Sequence, residues 1–322
     1  MKDMAQEKTA GMSVIVPFLN EEDGIGLFCE TIDEYVKTLI FPIELVFVND
    51  GSTDRTEEIL KGYRFEHVEK ARLISLSKNY GSHAAIRAGL TQAGYDICTW
   101  IGSDLQEPLE LIPEGYQKIR EGYDVVYIEK ETIQVSKANR TFSKIYSRLV
   151  QKYAVSSYSS GGISTIVFNG KIKEMLNNNI ESNSSIMLQI MDAGFRCITI
   201  PMNFHERATG QSKWTMKKKI KLFIDSFVAF SFAPIRLVTI IGGVLFAAGI
   251  VIGLIAIINK LINPAVPTGY STLVCILALG FGVTNISLGI VAEYLWRAYD
   301  AARGRPCFII AEKKDLTTAE AE

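Results

Sequence analysis

Four short apolar runs in the first half of the chain are each followed directly by polar side chains that could do chemistry. Carboxylates can bind the base or ribose hydroxyls of a nucleotide, a lysine can bind its phosphates, and a carboxylate with an amide oxygen can hold a divalent metal. Any one of these motifs is also explained by a turn or a helix cap, whereas four in succession indicate a nucleotide site. Run by run, the side chains are Asn20, Glu21 and Glu22; Asp50, Ser52 and Asp54; Lys78 and Asn79; and Asp104, Gln106 and Glu107.

The apolar runs are predicted to be strands, because they are short, rich in branched aliphatic residues and separated by helical patterns. Strand and helix in alternation predict an α/β fold, in which a mostly parallel, Rossmann-like sheet is covered on both faces. Such sheets bind ligands at the carboxyl ends of their strands, which is where the polar side chains lie. The predicted strands are 13–17, 43–49, 72–76, 97–101 and 124–128, and the predicted helices are 21–39, 54–62, 82–93 and 109–121.

Two apolar runs nearer the C-terminus are each long enough to cross a bilayer as a helix. Residues 237–258 contain no charged side chain and residues 273–292 form a second uncharged run, against a requirement of about 20 residues. The outer flanks of the two runs are basic, while the loop between them carries only Lys260. The positive-inside rule therefore predicts a multi-pass protein of the cell membrane with two spans, with both termini and the first domain in the cytosol.

The formal net charge of −1, from 34 basic and 35 acidic residues, hides an uneven distribution. Residues 1–199 hold 21 basic against 27 acidic side chains, whereas residues 200–236 hold seven against two. A basic segment beside apolar runs is typical of a membrane surface, and the overall balance argues against a nucleic-acid binder. Residues 214–234, which begin at Trp214 ahead of a lysine cluster, are therefore predicted to lie in the bilayer interface as an amphipathic segment.

These patterns divide the 322 residues into five segments. In the first apolar run, Gly249 and Gly253 form a G-x-x-x-G pair, which permits close helix packing and a homo-oligomer but is equally explained as incidental glycine. The segments are a tail at 1–11, the α/β domain at 12–213, the interfacial segment at 214–234, a two-helix transmembrane domain at 235–296 and a cytosolic tail at 297–322.

Five motifs, in one order along the chain, resemble the inverting family-2 glycosyltransferases with a GT-A fold. More narrowly, they resemble the polyprenyl-phosphate glycosyltransferases, whose relatives include dolichol-phosphate mannose synthases and the bacterial GtrB-type enzymes. The motifs are P-F-L-N-E-E, V-N-D-G-S-T-D, S-K-N-Y-G-S-H-A-A-I-R-A-G-L, S-D-L-Q-E-P-L-E-L-I-P and H-E-R-A-T-G-Q-S-K-W-T. The resemblance spans residues 12–305. It implies a membrane-bound enzyme that transfers a sugar from a nucleotide-sugar donor, in particular a UDP-sugar, to polyprenyl phosphate of the undecaprenyl type on the cytosolic face.

The resemblance also implies roles for individual residues. Asp104 would hold Mg²⁺ or Mn²⁺ on the donor diphosphate, helped by Gln106. At the acceptor, Arg207 and Lys213 of an R-x-x-x-x-x-K loop would contact phosphate groups, and Arg140 would be an acceptor-loop arginine. The base and ribose pocket would be lined by Pro17, Asn20, Glu21 and Asp50, with Lys78 nearby.

The chemistry of a phosphate acceptor agrees with these roles. A phosphate monoester carries about −1.5 to −2 charges near pH 7, so that it needs little help from a general base. It does need positive groups that bring it to an anionic donor, and a metal that neutralises the departing diphosphate. Attraction of Arg207 and Lys213 to anionic lipid headgroups is the alternative explanation for the two basic residues.

Two departures from the family pattern keep other functions open. The acidic Asp-x-Asp pair reads Gly102-Ser103-Asp104, and a later stretch that is often A-G-D-F-R reads S-G-G-I-S, with Gly162 at the acidic position. Metal binding would then be weaker, or completed by Gln106, donor phosphates and water. The alternatives are a family-2 enzyme that acts on a lipid-linked glycan or glycolipid, and a weakly active or non-catalytic relative.

Overall fold

The computed structural model describes residues 11–131, 163–180, 185–205, 233–262 and 269–317. The chain forms two compact units, one of Met1–Leu222 with Pro306–Glu322 and one of Phe223–Arg305. The first unit therefore combines the α/β domain expected from the sequence with the last residues of the chain.

The first unit alternates strands and helices along the chain, as predicted. Its first helix begins four residues later than predicted, because Glu21 accepts backbone hydrogen bonds from Gly24 and Ile25 in a turn. The strands are β1 (Met12–Phe18), β2 (Ile43–Asn49), β3 (Lys70–Leu76), β4 (Ile97–Trp100), β5 (Val125–Lys130), β6 (Ile163–Phe168), β7 (Cys197–Met202) and β8 (Ile310–Asp315). The helices are α1 (Ile25–Val36), α2 (Thr56–Gly62), α3 (Ser82–Gln92), α4 (Leu111–Arg120), α5 (Gly170–Asn178) and α6 (Ile186–Asp192).

The strands join one sheet in the order β7-β5-β6-β4-β1-β2-β3-β8. The four neighbours β4, β1, β2 and β3 are all parallel, so that their carboxyl ends lie along the same edge. Strands β5 and β7 are also parallel, while β6 and β8 run antiparallel to their neighbours. The predicted α/β class with a mostly parallel sheet is confirmed, and the mixed sheet fits a GT-A-like fold.

Burial on both faces explains the uninterrupted apolar runs of the central strands. Every residue of β2 is buried, and so is every residue of β1 except Pro17. Phe28 of α1 meets Phe47 of β2 edge to face, with ring centroids 6.1 Å apart, a geometry that aromatic pairs favour. The loops at the carboxyl ends of these strands therefore start from a densely packed base.

A C-terminal strand extends the sheet where the sequence predicts only a tail. Strand β8 pairs antiparallel with β3, with Arg72 opposite Asp315. Lys61 of α2 binds Glu312 at 3.1 Å, and the Leu316 side chain is only 4% exposed. The segment I-A-E-K-K-D is short and charged, as edge strands commonly are, so that no apolar pattern distinguishes it from a tail.

Replacing Leu316 by Ala is expected to destabilise the first unit by about 2 kcal/mol, because the substitution leaves a cavity in the core to which Leu316 belongs. The thermal unfolding midpoint of the purified protein checks this. Ile309→Ala is the matched control, since the Ile309 side chain is 51% exposed and its loss is expected to cost less than about 0.5 kcal/mol. Equal midpoints for the two variants would contradict the packing of the C-terminal segment.

The second unit contains two long helices, α7 (Ala233–Ile262) of 30 residues and α8 (Tyr270–Ala302) of 33 residues. Large apolar side chains are exposed on both, among them Val244 of α7 and Phe281 of α8. Within the described ranges, none of the helices meets both the length and the apolarity needed to cross a membrane. The two spans read from the sequence are therefore not confirmed and stay a prediction.

Candidate active site

Four loops leave the sheet at one edge, because β4, β1, β2 and β3 are adjacent and parallel. Backbone hydrogen bonds continue the strand pairing into these loops, as Ile101 N donates to the Ile15 carbonyl oxygen and Asp50 N to that of Phe18, both at 3.0 Å. The polar motifs singled out in the sequence lie in these loops. Residues from four separate motifs are thus brought to one edge of the sheet.

Asn20 connects the loop after β1 to the loop after β2. Its side-chain Oδ1 accepts a hydrogen bond from Thr53 N at 2.7 Å, and its own N–H donates to Ser52 Oγ at 3.0 Å. Its φ of 50° lies in the left-handed region, which asparagine adopts more readily than most residues. Pro17 is half-buried at the end of β1, and Glu21 follows Asn20 in the same loop. The hydrogen bonds of Asn20 therefore order the residues predicted to meet the base and ribose.

Asp50 connects the loop after β2 to the loop after β3. Its side chain is buried, and its two carboxylate oxygens accept hydrogen bonds from Tyr80 N at 2.7 Å and Gly81 N at 2.9 Å. The next residue, Gly51, has a φ of 77°, and a Cβ there would lie 2.6 Å from the backbone carbon of Lys78. The two loops meet backbone to backbone at a position that requires glycine. The structure therefore gives Asp50 an anchoring role that the sequence does not predict.

Lys78 lies on the surface next to this anchor. Its side chain is exposed, and its Nζ lies 5.1 Å from the centre of the Tyr80 ring. An ammonium group over an aromatic face is attracted to the ring by a cation–π interaction. This position at the loop edge suits the predicted contact with a phosphate group.

A hydrogen-bond network that no sequence motif predicts lies behind the loop after β2. Glu57 of α2 accepts hydrogen bonds from Asn49 and Ser75, the second at 3.0 Å. It also binds Lys61 Nζ at 2.7 Å. Partial burial alone would raise the pKa of Glu57, but the hydrogen bonds from these three partners outweigh burial and hold the pKa below its ordinary value. Asn49 in turn accepts a hydrogen bond from Ser52 N at 2.7 Å, so that ionised Glu57 supports the loop.

The loop after β4 carries the residues predicted to hold a metal. Asp104 and Gln106 are both half-buried, and Gln106 N donates to Asp104 Oδ1 at 3.3 Å. Leu105 between them has a φ of 55°, so that the chain turns sharply there. Among the residues with described positions, no three His, Cys, Asp or Glu side chains form a complete metal cage. A carboxylate with an amide oxygen fits Mg²⁺ or Mn²⁺ when substrate phosphates and water fill the other positions.

The loop after β4 also contacts the segment that follows β7. His205 N donates to the Gln106 carbonyl oxygen at 2.9 Å. His205 is the last described residue of this segment and lies two positions before Arg207. Some of the positions singled out in the sequence lie outside the described ranges, and what was predicted for them stays a prediction. They are Arg140, Gly162, Arg207, Lys213 and residues 214–232 of the interfacial segment.

His83, in the first turn of α3, is a half-buried histidine that has no predicted role in the site. Its Nδ1 is buried and has no hydrogen-bond partner among the described residues. Burial, with a smaller effect from the nearby Arg87 charge, lowers the pKa of His83 below its ordinary value of 6.5. The signal in the sequence is its place in the motif S-K-N-Y-G-S-H, at the predicted start of the helix after the third strand.

His83 is expected to make the protein less stable as the pH falls below about 6.5, because the unfolded chain takes up a proton that the folded chain resists. The stability that neutral His83 contributes is present above the unfolded pKa and is lost below it. His83→Gln is therefore expected to show a smaller fall in thermal midpoint between about pH 7.5 and about pH 5.5. His205→Gln, at an exposed histidine, should show the wild-type fall, and an identical fall in all three proteins would contradict the prediction.

Comparison with known proteins identifies one family, whose model matches more than half of the chain, and relatives that match almost the whole chain. The family model described as Glycosyl transferase family 2 matches residues 13–188. An undecaprenyl-phosphate 4-deoxy-4-formamido-L-arabinose transferase from Photorhabdus laumondii is 30% identical over 309 residues and covers 95% of each chain. The protein of the same name from Proteus mirabilis is 31% identical over 308 residues and covers 94% of each chain. Among solved structures, glucosyl-3-phosphoglycerate synthase from Mycobacterium tuberculosis is similar at 18% identity and a TM-score of 0.49, over 70% of this chain and 80% of that one.

Proposed function

Because the chain belongs to glycosyl transferase family 2, we propose that it transfers a sugar from a nucleotide-sugar donor, in particular a UDP-sugar, to polyprenyl phosphate of the undecaprenyl type. The observation that carries this proposal is the match to undecaprenyl-phosphate sugar transferases over 95% and 94% of both lengths. A match of that extent includes the residues that follow the family domain. It therefore supports a shared acceptor as well as a shared type of donor.

The donor binds at the loops after β1, β2 and β3 in this proposal. Pro17, Asn20 and Glu21 lie on the β1 side and receive the base and ribose. Asp50 fixes the spacing between the second and third loops through its hydrogen bonds to Tyr80 and Gly81. The exposed ammonium group of Lys78 then meets the donor phosphates.

A divalent cation, Mg²⁺ or Mn²⁺, is proposed at the loop after β4. Asp104 supplies a negative oxygen ligand and Gln106 a neutral one, which is the ligand chemistry these hard cations take. Such an ion, when bound, neutralises the charge that develops on the departing nucleotide diphosphate. The hydrogen bond from Gln106 N to Asp104 Oδ1 fixes the relation between the two residues before any ligand arrives.

The acceptor phosphate acts as its own nucleophile. One of its oxygens forms a bond to the anomeric carbon as the bond from that carbon to the donor diphosphate breaks on the opposite side, so that the configuration inverts. No proton has to be removed first, because the monoester is already ionised near pH 7. Arg140, Arg207 and Lys213 are proposed to bring the two anions together. The hydrogen bond from His205 to Gln106 supports this, since it starts the Arg207 segment beside the loop after β4.

The enzyme is proposed to reside in the cell membrane, with residues 235–296 as two spans, residues 214–234 in the interface, and both termini and the catalytic unit in the cytosol. The uncharged run 237–258 and the exposed apolar side chains of α7 and α8 support this, because water-soluble proteins seldom expose large apolar patches. The bilayer then delivers the acceptor lipid to the basic segment. Alkaline carbonate extraction checks this placement, since a protein that spans the bilayer stays in the membrane pellet and a peripheral one is released.

Transfer is tested with the purified full-length protein, a panel of labelled UDP-sugars and undecaprenyl phosphate. At least one donor is expected to give a charged, lipid-soluble product, and chelation of divalent metal is expected to abolish it. No charged lipid product with any nucleotide-sugar would overturn the proposal.

Two acidic residues of the family pattern are replaced by glycine here, at Gly102 and Gly162. Their absence is the observation that favours two other functions for the same fold. A family-2 enzyme acting on a lipid-linked glycan or glycolipid would form product only when such an acceptor is supplied. A weakly active or non-catalytic relative would bind nucleotide without metal-dependent turnover. In that case, Asp104→Asn would leave the cellular phenotype unchanged.

A further inference from the structure

Gly102, at the start of the loop after β4, has no side chain, and neighbouring side chains occupy the space that its Cβ would take. A Cβ at Gly102 would lie 2.9 Å from Asp104 Oδ1 and 3.3 Å from Glu107 Oε2. Both distances are shorter than an ordinary van der Waals contact. The space beside Gly102 is therefore filled by two carboxylate oxygens, which lie within 3.3 Å of one common point.

The backbone holds both carboxylates at this point. Gly102 N donates to Glu107 Oε2 at 3.2 Å, and Gln106 N donates to Asp104 Oδ1 at 3.3 Å. Leu105, with its φ of 55°, turns the chain between residues 102 and 107. Buried Pro108 follows directly and restricts the backbone of Glu107. The placement of Glu107 thus follows from the loop itself.

Two carboxylates that border the same space repel, and a divalent cation that binds both relieves that repulsion. Mg²⁺ and Mn²⁺ prefer carboxylate, carbonyl and water oxygens. Asp104, Glu107 and the side-chain amide of Gln106 offer such oxygens within one loop of the chain.

We infer that Glu107 is a metal ligand and supplies the carboxylate that position 102 lacks. The inference rests on the proposed function, since that function brings a divalent cation to Asp104 and Gln106. Two carboxylates and one amide oxygen then hold the ion, and the donor phosphates complete its coordination. Glu107 and a carboxylate at position 102 are alternative sources of the same negative charge.

Direct titration with Mn²⁺ tests the inference without any transfer reaction. Free Mn²⁺ is followed by its electron paramagnetic resonance signal as full-length protein in detergent is added. Glu107→Gln keeps the size of the side chain and an acceptor for Gly102 N, and is expected to weaken Mn²⁺ binding by about 10- to 100-fold. Glu110→Gln, which removes an exposed carboxylate from the same segment, is expected to bind Mn²⁺ like the wild type.

A rescue variant tests whether the two positions are equivalent. Glu107→Ala removes one of the two side chains that fill the space beside Gly102, and the Asp104 side chain has to shift to admit a Cβ there. Gly102→Asp in that background is expected to recover at least about tenfold of the lost affinity. The thermal midpoint of each variant shows whether it is folded. Wild-type affinity in Glu107→Gln, no measurable Mn²⁺ binding by the wild type, or no recovery in a folded double variant would each overturn the inference.

Failure of the inference is distinguishable from failure of the proposed function. If the wild type forms a lipid-linked sugar while Glu107→Gln binds Mn²⁺ normally, only the ligand role of Glu107 is wrong. If Mn²⁺ binding depends on Glu107 but no donor gives a lipid product, the ligand role stands and the transfer reaction is wrong.

Discussion

Asp104→Asn is expected to lower the rate of sugar transfer to lipid by about 10³-fold, which corresponds to about 4 kcal/mol of transition-state stabilisation. The reason is that an amide oxygen replaces a full negative charge on the proposed metal, which neutralises the departing diphosphate. The measurement is the initial rate of lipid product formation at saturating donor and Mn²⁺.

The substitution is conservative for the fold, because asparagine keeps an oxygen that can accept the hydrogen bond from Gln106 N. Its thermal midpoint should therefore equal that of the wild type. Glu110→Gln, at an exposed carboxylate, is the matched control and should keep the wild-type rate. A folded Asp104→Asn protein that retains more than about a tenth of the wild-type rate would contradict the role of Asp104.

Gly51→Ala is expected to destabilise the first unit by about 2–4 kcal/mol. At a φ of 77° a side chain is strained, and its Cβ would lie 2.6 Å from the backbone carbon of Lys78. The loop that carries Lys78 has to move, so that affinity for UDP falls together with stability. Thermal unfolding and a UDP titration measure the two effects.

Gly62→Ala is the matched control for this prediction. Gly62 ends α2, and a Cβ there would have nothing within 4 Å. Alanine at such a position is expected to leave stability unchanged or to raise it slightly, because it restricts the unfolded chain. Equal midpoints for Gly51→Ala and Gly62→Ala would show that the two loops do not meet as described.

The central strands could be predicted from the sequence because burial on both faces leaves a continuous apolar signal. Strand β2 shows this best, since all seven of its residues are buried and its observed bounds, Ile43–Asn49, are the predicted ones. The edge of the sheet where the polar motifs gather follows from parallel pairing alone. The sequence alone was therefore enough to predict which side chains lie at that edge, namely Asn20, Asp50, Lys78 and Asp104.

Contacts between residues that are distant in the chain could not be predicted from the sequence. Strand β8 has a polar sequence and is placed only by its pairing with β3. The anchoring of the third loop by Asp50 depends on backbone N–H groups, which no residue pattern reveals. One local contact was also not predictable, namely that of Glu107 with Gly102. It spans a left-handed residue, Leu105, and leucine rarely adopts that conformation.

The central claim is that the phosphate of a polyprenyl lipid receives the sugar. Mass spectrometry of the lipid extract tests it most directly, with undecaprenyl phosphate and undecaprenol supplied to parallel reactions of the purified protein with its UDP-sugar donor. Undecaprenyl phosphate is predicted to give a product that is heavier by one glycosyl residue. Undecaprenol is predicted to give no such product. Glycosylation of undecaprenol, or transfer to an added glycolipid while undecaprenyl phosphate stays unmodified, would contradict the claim.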